Sequence, residues 1–221
     1  MGVWPYGRGC AAVEPVQLAF VLVVLFFSVI LHECAHGWVA YLMGDPTAKD
    51  QGRLTLNPIP HIDPFMTIIL PILTFLFWGF PFGGAKPVPV NPFNFREPRK
   101  GMMVVGAAGP ATNLGLSASF ALFYHLARQT GFFNEAIAVA LVWAVVLNAL
   151  LAFFNLVPIP PLDGSRIVAG VLPREAAAAY DRLAPFGLFI VVGFLMLGGF
   201  GLLLVPALKG WSKLLGMPVV L

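Results

Sequence analysis

VQLAFVLVVLFFSVILHECAHGWVAYLM, from Val16 to Met43, is the stretch whose reading decides the fold. It exceeds the ~20 apolar residues a bilayer core requires, and Glu33 is its one formally charged residue. A carboxylate and two histidines on a membrane helix are costly unless they pair or bind an ion. His32 and His36 stand at i and i+4. They therefore share one helical face with roughly 6 Å between their Cβ atoms, which suits two ligands of one tetrahedral ion. Glu33 lies about 100° round the helix from His32, where a general base could reach a water on that ion. Cys34 points off this face and reads as a packing residue.

The rest of the chain has the composition of a membrane protein. Only 10% of residues are charged and 59% are hydrophobic, with a mean hydropathy of +0.86. Soluble domains carry about 25% charged residues, so this chain cannot cover a globule with polar surface. The net charge of +3 is small and the basic residues fall in loops. That argues against nucleic acid as a partner and for loops facing a lipid bilayer. The Val16–Met43 run is too long for a cleavable signal. Cys10 and Cys34 are not expected to form a disulfide, because Cys34 sits within an apolar helix.

Three further segments are long enough to span, namely Gly101–Arg128, Asn134–Val157 and Pro185–Pro206. A shorter apolar run, Pro64–Phe80, has Pro71 near its middle. Gly52–Leu56 (GRLTL) alternates in polarity, and Lys86–Val90 (KPVPV) has prolines two apart, which forbids helix and suits an edge strand. Open strand edges cannot face lipid, so both belong at the interface or in a cavity. Arg174–Leu183 follows Pro173 and reads as a helix along the membrane surface. The expected fold is an all-α polytopic membrane protein with about four transmembrane helices, a re-entrant segment and short β-strands near the active site. It forms a single domain over residues 1–221, with its core at 16–207.

A zinc hydrolase needs a third protein ligand and keeps a fourth position for water. The best candidate is Asp163 in Asn155-Leu-Val-Pro-Ile-Pro-Pro-Leu-Asp-Gly164, where Pro158, Pro160 and Pro161 stop the preceding helix. Gly164 then permits a backbone turn that aims the carboxylate inward. The simplest alternative is a turn carboxylate at the membrane surface. His61 and Asp63 most simply form a polar turn between prolines, with a second metal site or a pH-sensitive pair as the alternatives. His125, near the end of its helix, is expected to snorkel to the surface.

Three patterns together resemble the site-2 protease family of intramembrane zinc metalloproteases. They are H-E-x-x-H at His32–His36, A-G-P-x-x-N at Ala108–Asn113, and the N-x-x-P-x-P-x-L-D-G pattern at Asn155–Gly164 with one extra proline. Gly52–Pro58 (GRLTLNP) and Ala85–Pro92 (AKPVPVNP) make it most like the small members that lack a PDZ domain. The resemblance implies Zn²⁺ held by His32, His36 and Asp163, with Glu33 as catalytic base. It also implies that Asn155 stabilises the tetrahedral oxyanion, although hydrogen bonding between helices would equally explain Asn155 and Asn148. Asn113 leans structural, beside a Gly109-Pro110 step that lets another backbone approach. Membrane-anchored proteins, such as anti-sigma factors, other regulators or signal-peptide remnants, are the substrates implied.

The site also constrains the path of the chain. About 11 residues separate Glu33 from Gly44, which places the ion roughly 16 Å from the face at that helix end. Asp163 must emerge on the same face, so Pro64–Phe80 is expected to enter and return, hinging near Pro71. The site side then collects Lys49, Arg53, Lys86, Arg96, Arg99, Lys100, Arg166, Arg174 and Arg182, against Arg8, Arg128, Lys209 and Lys213. That 9 to 4 bias places a multi-pass protein in the cell membrane with its site nearer the cytoplasm. The rival functions are a metal-binding membrane transporter and an inactive helix-binding scaffold. Glu33 discriminates, because transport needs no general base beside the first ligand.

Overall fold

The computed structural model describes residues 15–78, 83–130 and 133–218. Arg8, Cys10 and the far end of the Pro64–Phe80 run lie outside them. Helix α1, Pro15–Leu42, is long enough to cross a bilayer. It stops in a left-handed cap, with Gly44 at φ 104°. The Gly44 N–H donates to the Tyr41 carbonyl and the Asp45 N–H to the Ala40 carbonyl, the paired closure of a Schellman motif.

Asp45 then becomes a hub. Its fully buried carboxylate accepts from the Thr47 N–H and hydroxyl, the Asn94 amide and the Asn91 N–H. These contacts fix the short helix α2, Thr47–Asp50, and tie the far loop at Asn91–Asn94 to the end of α1.

No strand forms among the described residues, which corrects the expectation for Gly52–Leu56 and Lys86–Val90. The first stretch is turns and bends; the second runs extended but unpaired. Side chains take the place of a ladder. Arg53 donates from Nη2 to the carbonyls of Lys86 (2.8 Å) and Pro87 (3.3 Å). The Thr55 carbonyl accepts from Cys34 Sγ and lies 2.9 Å from His61 Nε2.

The next apolar run leaves and comes back to the same end. Asp63 caps it by accepting from the N–H groups of Phe65 and Met66. A π-helical segment, Pro64–Ile69, leads into α3, Leu70–Trp78. The wide turns precede Pro71, which has no N–H to give the carbonyl four residues back. The helix runs through Pro71, so the reversal is not a hinge there. Where the described chain resumes, the Gly84 N–H bonds the Met66 carbonyl and the Lys86 N–H bonds the His61 carbonyl, back at the end where the run began.

Helix α4, Pro98–Ala127, is the central post and packs on α1, on α5 (Glu135–Asn155) and on α6 (Asp163–Val171). Its buried stripe falls at every fourth residue, with Gly101, Val105, Gly109, Asn113, Ser117 and Ala121. Small and polar side chains at that spacing let neighbouring helices approach closely. Ser117 is fully buried. Its Oγ donates to the Val145 carbonyl and accepts from Trp211 Nε1, which joins α4, α5 and α9 (Val205–Leu214).

Three helical stretches have the length and hydropathy of a membrane span: Ala19–Leu42, Glu135–Asn155 and Arg174–Met196. Helix α4 is not among them, because its glycines and polar residues lower its mean hydropathy. The expected Pro185–Pro206 span is broken. Helix α8, Gly187–Met196, stops before Gly198, whose φ of 84° ends the helical path. Helix α7, Arg174–Asp181, the segment expected along the membrane surface, is helical and leads through the turn Ala184–Phe186 into α8. Large apolar side chains on the outer faces, among them Leu22, Phe27, Leu122, Phe123, Phe189 and Leu202, are exposed. They suit a lipid environment.

Donors on four sides hold the Asp45 carboxyl below its ordinary range, outweighing the effect of its burial. That stabilisation is present above the unfolded value of about 3.9 and lost as pH falls through the folded value. Asp45→Ala is expected to lower stability by about 2 kcal/mol at neutral pH. Melting in mild detergent from pH 7 to 3 should show the gap to wild type closing below about pH 4.

Candidate metal centre

Two turns of α1 and the first residue of α6 meet across α4. His32, His36 and Asp163 are each buried, at 6%, 4% and 5% exposure. The two Nε2 atoms stand 3.1 Å apart, with the rings at 88° to each other. Asp163 Oδ2 lies 3.1 Å from His32 Nε2 and 3.2 Å from His36 Nε2.

The hydrogen bonds behind the rings decide where the protons are. His36 Nδ1 lies 2.7 Å from the Val105 carbonyl, which can only accept. Nδ1 therefore carries a proton, and in the neutral ring Nε2 keeps the lone pair. For His32 the logic runs through two asparagines. The Asn148 amide donates to the Ala144 carbonyl, so its Oδ1 faces the amide of Asn113 at 3.1 Å. Asn113 Oδ1 must then face His32 Nδ1, at 2.6 Å, and accept its proton. With both rings neutral, each Nε2 thus presents its lone pair to the other and to a carboxylate oxygen.

Asp163 Oδ2 is buried, and apart from the two imidazoles no donor among the described residues reaches it. With both rings neutral, three acceptors face one another in a buried site, and a cation relieves all three at once. Two imidazole nitrogens and one carboxylate oxygen make a donor set that zinc favours, and three protein ligands leave a fourth position open. The residues fit the ion.

The surroundings are built to hold this geometry. Arg166 Nη1 lies 3.4 Å from Asp163 Oδ1, which orients the carboxylate. Arg99 donates to the carbonyls of Ala169 and Leu172 and so fastens the C-terminal end of α6 to α4. Gly109 fits against both rings: a Cβ there would stand 2.5 Å from His36 Nε2 and 2.6 Å from His32 Nε2. Sequence reading treated Gly109 as an approach for another backbone, whereas it opens space for the two rings. Asn113, read as structural, sets the tautomer of His32. The A-G-P-x-x-N pattern was the available signal for both.

Other expectations change. The extra proline, which sits in a cis Pro160–Pro161 peptide, does not carry Asp163 away from the histidines. Gly164 has no left-handed backbone; a Cβ there would lie 2.2 Å from the Leu156 carbonyl oxygen, so its role is close approach. Asn155 donates to the Leu151 carbonyl of its own helix, and no hydrogen bond joins it to the triad. His61 and Asp63 do not pair, since one is directed to Thr55 and the other caps the π-helical segment. His125 Nε2 lies 2.8 Å from the Leu215 carbonyl rather than reaching outward to water. Glu33 Oε2 accepts from the Val88 N–H at 2.9 Å.

Comparison with known proteins places the chain beside one peptidase family. The profile of Peptidase family M50 matches residues 129–198, which hold Asn155 and Asp163. YwhC of Bacillus subtilis, provisionally named a zinc metalloprotease, is 39% identical over 193 residues, covering 83% of this chain and 84% of that protein. Rip2 of Mycolicibacterium smegmatis, named in the same way, is 32% identical over 198 residues, covering 87% and 70%. Rip2 of Mycobacterium tuberculosis is 33% identical over 210 residues, covering 90% and 73%. No solved structure matches.

Two substitutions test the fit. Gly109→Ala places a methyl group among the ring atoms and is expected to abolish stoichiometric zinc in the purified protein. Asn113→Ala leaves the ligands in place and is expected to weaken zinc about 10- to 100-fold, as read by competition with a chelating dye.

Proposed function

The chain belongs to peptidase family M50, the site-2 proteases, and on that premise we propose that it cuts peptide bonds within or near transmembrane segments of membrane-anchored proteins. The family makes it a zinc metalloendopeptidase, and its apolar helices make it a membrane protein. The proposal assigns the zinc ligands to His32, His36 and Asp163 and the base to Glu33. One observation carries it: two imidazole nitrogens and one carboxylate oxygen, all buried, converge within 3.2 Å of one another.

Zinc, when bound, supplies a Lewis acid for the scissile carbonyl and lowers the pKa of a water. Glu33, the next residue after His32 on α1, takes the proton from that water and passes it to the leaving amine. Val105 and Asn113 hold the imidazoles in the tautomer that keeps both Nε2 lone pairs inward. Asn155 is assigned to the developing oxyanion through its amide. Its bond to Leu151 uses one N–H, and the amide has two.

Burial of the triad among α1, α4 and α6 supports a substrate that is itself in the membrane. We assign the site to the cytoplasmic side of the cell membrane. Arg53 is buried and cannot face headgroups, so the basic count becomes nine less one, still eight against four. The return of the Pro64–Trp78 excursion to its own starting end is what this topology requires.

The test is cleavage of a model transmembrane substrate in proteoliposomes. Glu33→Gln should retain zinc and lose at least about 100-fold in kcat. His32→Ala and Asp163→Ala should lose both zinc and activity, and phenanthroline should silence the wild type until zinc is restored. Equal cleavage by wild type and Glu33→Gln would remove the assignment. Zinc flux preserved in Glu33→Gln, without cleavage by either protein, would favour a transporter.

A further inference from the structure

We propose that the Lys86–Val90 strap positions the Glu33 carboxylate through a single backbone donor, the Val88 N–H, and that Arg53 clamps the strap in place. The inference rests on the reading of Glu33 as general base and adds what holds that base still.

The chemistry of the strap singles out one atom. Pro87 and Pro89 have no N–H, so Val88 is the one donor in the Pro-Val-Pro run, and it is spent on Glu33 Oε2 at 2.9 Å. The strap is gripped on both sides of that bond. Arg53 Nη2 holds the carbonyls of Lys86 and Pro87. The Lys86 N–H bonds the His61 carbonyl, and the Asn91 N–H bonds Asp45 Oδ2 at 2.7 Å.

Arg53 is 7% exposed and has no acidic partner among the described residues. Backbone carbonyls of the strap are what its guanidinium holds. Val88 is also wedged against α1 one turn beyond Glu33, since a Cβ on Gly37 would lie 2.8 Å from Val88 Cγ1. A glutamate side chain has several rotatable bonds, and a base displaced by about 1 Å can cost up to ~100-fold in rate. The Val88 bond removes that freedom at Oε2. Oε1 has no donor among the described residues, which leaves it available for proton transfer.

The test replaces the Pro87–Val88 amide by an ester through incorporation of the α-hydroxy analogue of valine. This deletes the N–H and keeps the side chain. Cleavage of the model transmembrane substrate should lose about 10-fold or more in kcat, with KM, zinc content and melting unchanged. The same exchange at the Pro89–Val90 amide should leave kcat at the wild-type value. Arg53→Met, which frees the strap carbonyls, should lower kcat in the same selective way.

Wild-type kcat in the Val88 ester, or a loss confined to KM, overturns the proposal. If that ester fails to fold or to hold zinc, Arg53→Met decides by the same kcat-against-KM criterion. Glu33→Gln separates the two levels. An active Glu33→Gln protein sinks the base assignment itself, whereas an inactive one beside a fully active ester sinks only the strap.

Discussion

Two imidazole nitrogens and one carboxylate oxygen held within 3.2 Å of one another in a buried site are the constraint on which this structure depends. The Val105 carbonyl and the Asn113–Asn148 relay accept the Nδ1 protons of His36 and His32, so with neutral rings the Nε2 lone pairs face Asp163. Such an arrangement costs free energy in a bare protein and is relieved by a divalent cation, so folding and metal binding are linked. The outer hydrogen bonds come from helices α4 and α5, far from α1 in sequence. The site is therefore a property of helix packing as much as of the ligands.

Helix α4 makes that packing possible. A stripe at every fourth position, glycine, alanine, serine and asparagine with the one valine Val105, lets α1, α5 and α6 crowd around it, where lipid offers no hydrophobic advantage for helix contact and close packing must supply it. At Gly109 the same stripe serves the site directly, because any side chain there would occupy the space of the imidazole edges. The features that qualify α4 as a central post also lower its hydropathy.

The loops follow a different physical rule. Gly52–Leu56 and Lys86–Val90 have strand-like sequences, yet their backbone groups are satisfied by Arg53, Cys34, His61 and Glu33 rather than by each other. Alternation and paired prolines reveal an extended path; they do not reveal the partner. The partner lies on α1 or across the loop, and a side chain reaches it without any periodic signature. The same limitation explains the last apolar run, read as one span but interrupted at Gly198, where the left-handed backbone stops the helix.

What the sequence by itself determined was local or compositional. It established a membrane protein, an i, i+4 pair of histidines with an adjacent carboxylate on an apolar helix, an aspartate after a proline-stopped helix, and a resemblance to one peptidase family. Those features are legible because helical spacing and hydropathy are written in neighbouring residues. Tertiary structure alone decided which carbonyl oxygens meet the two Nδ1 atoms, why residue 109 has no side chain, that Asn113 is a partner of His32, and that an amide between two prolines meets Glu33. Each depends on atoms 55 to 81 residues apart along the chain, and separations of that size are set by packing rather than by any local pattern.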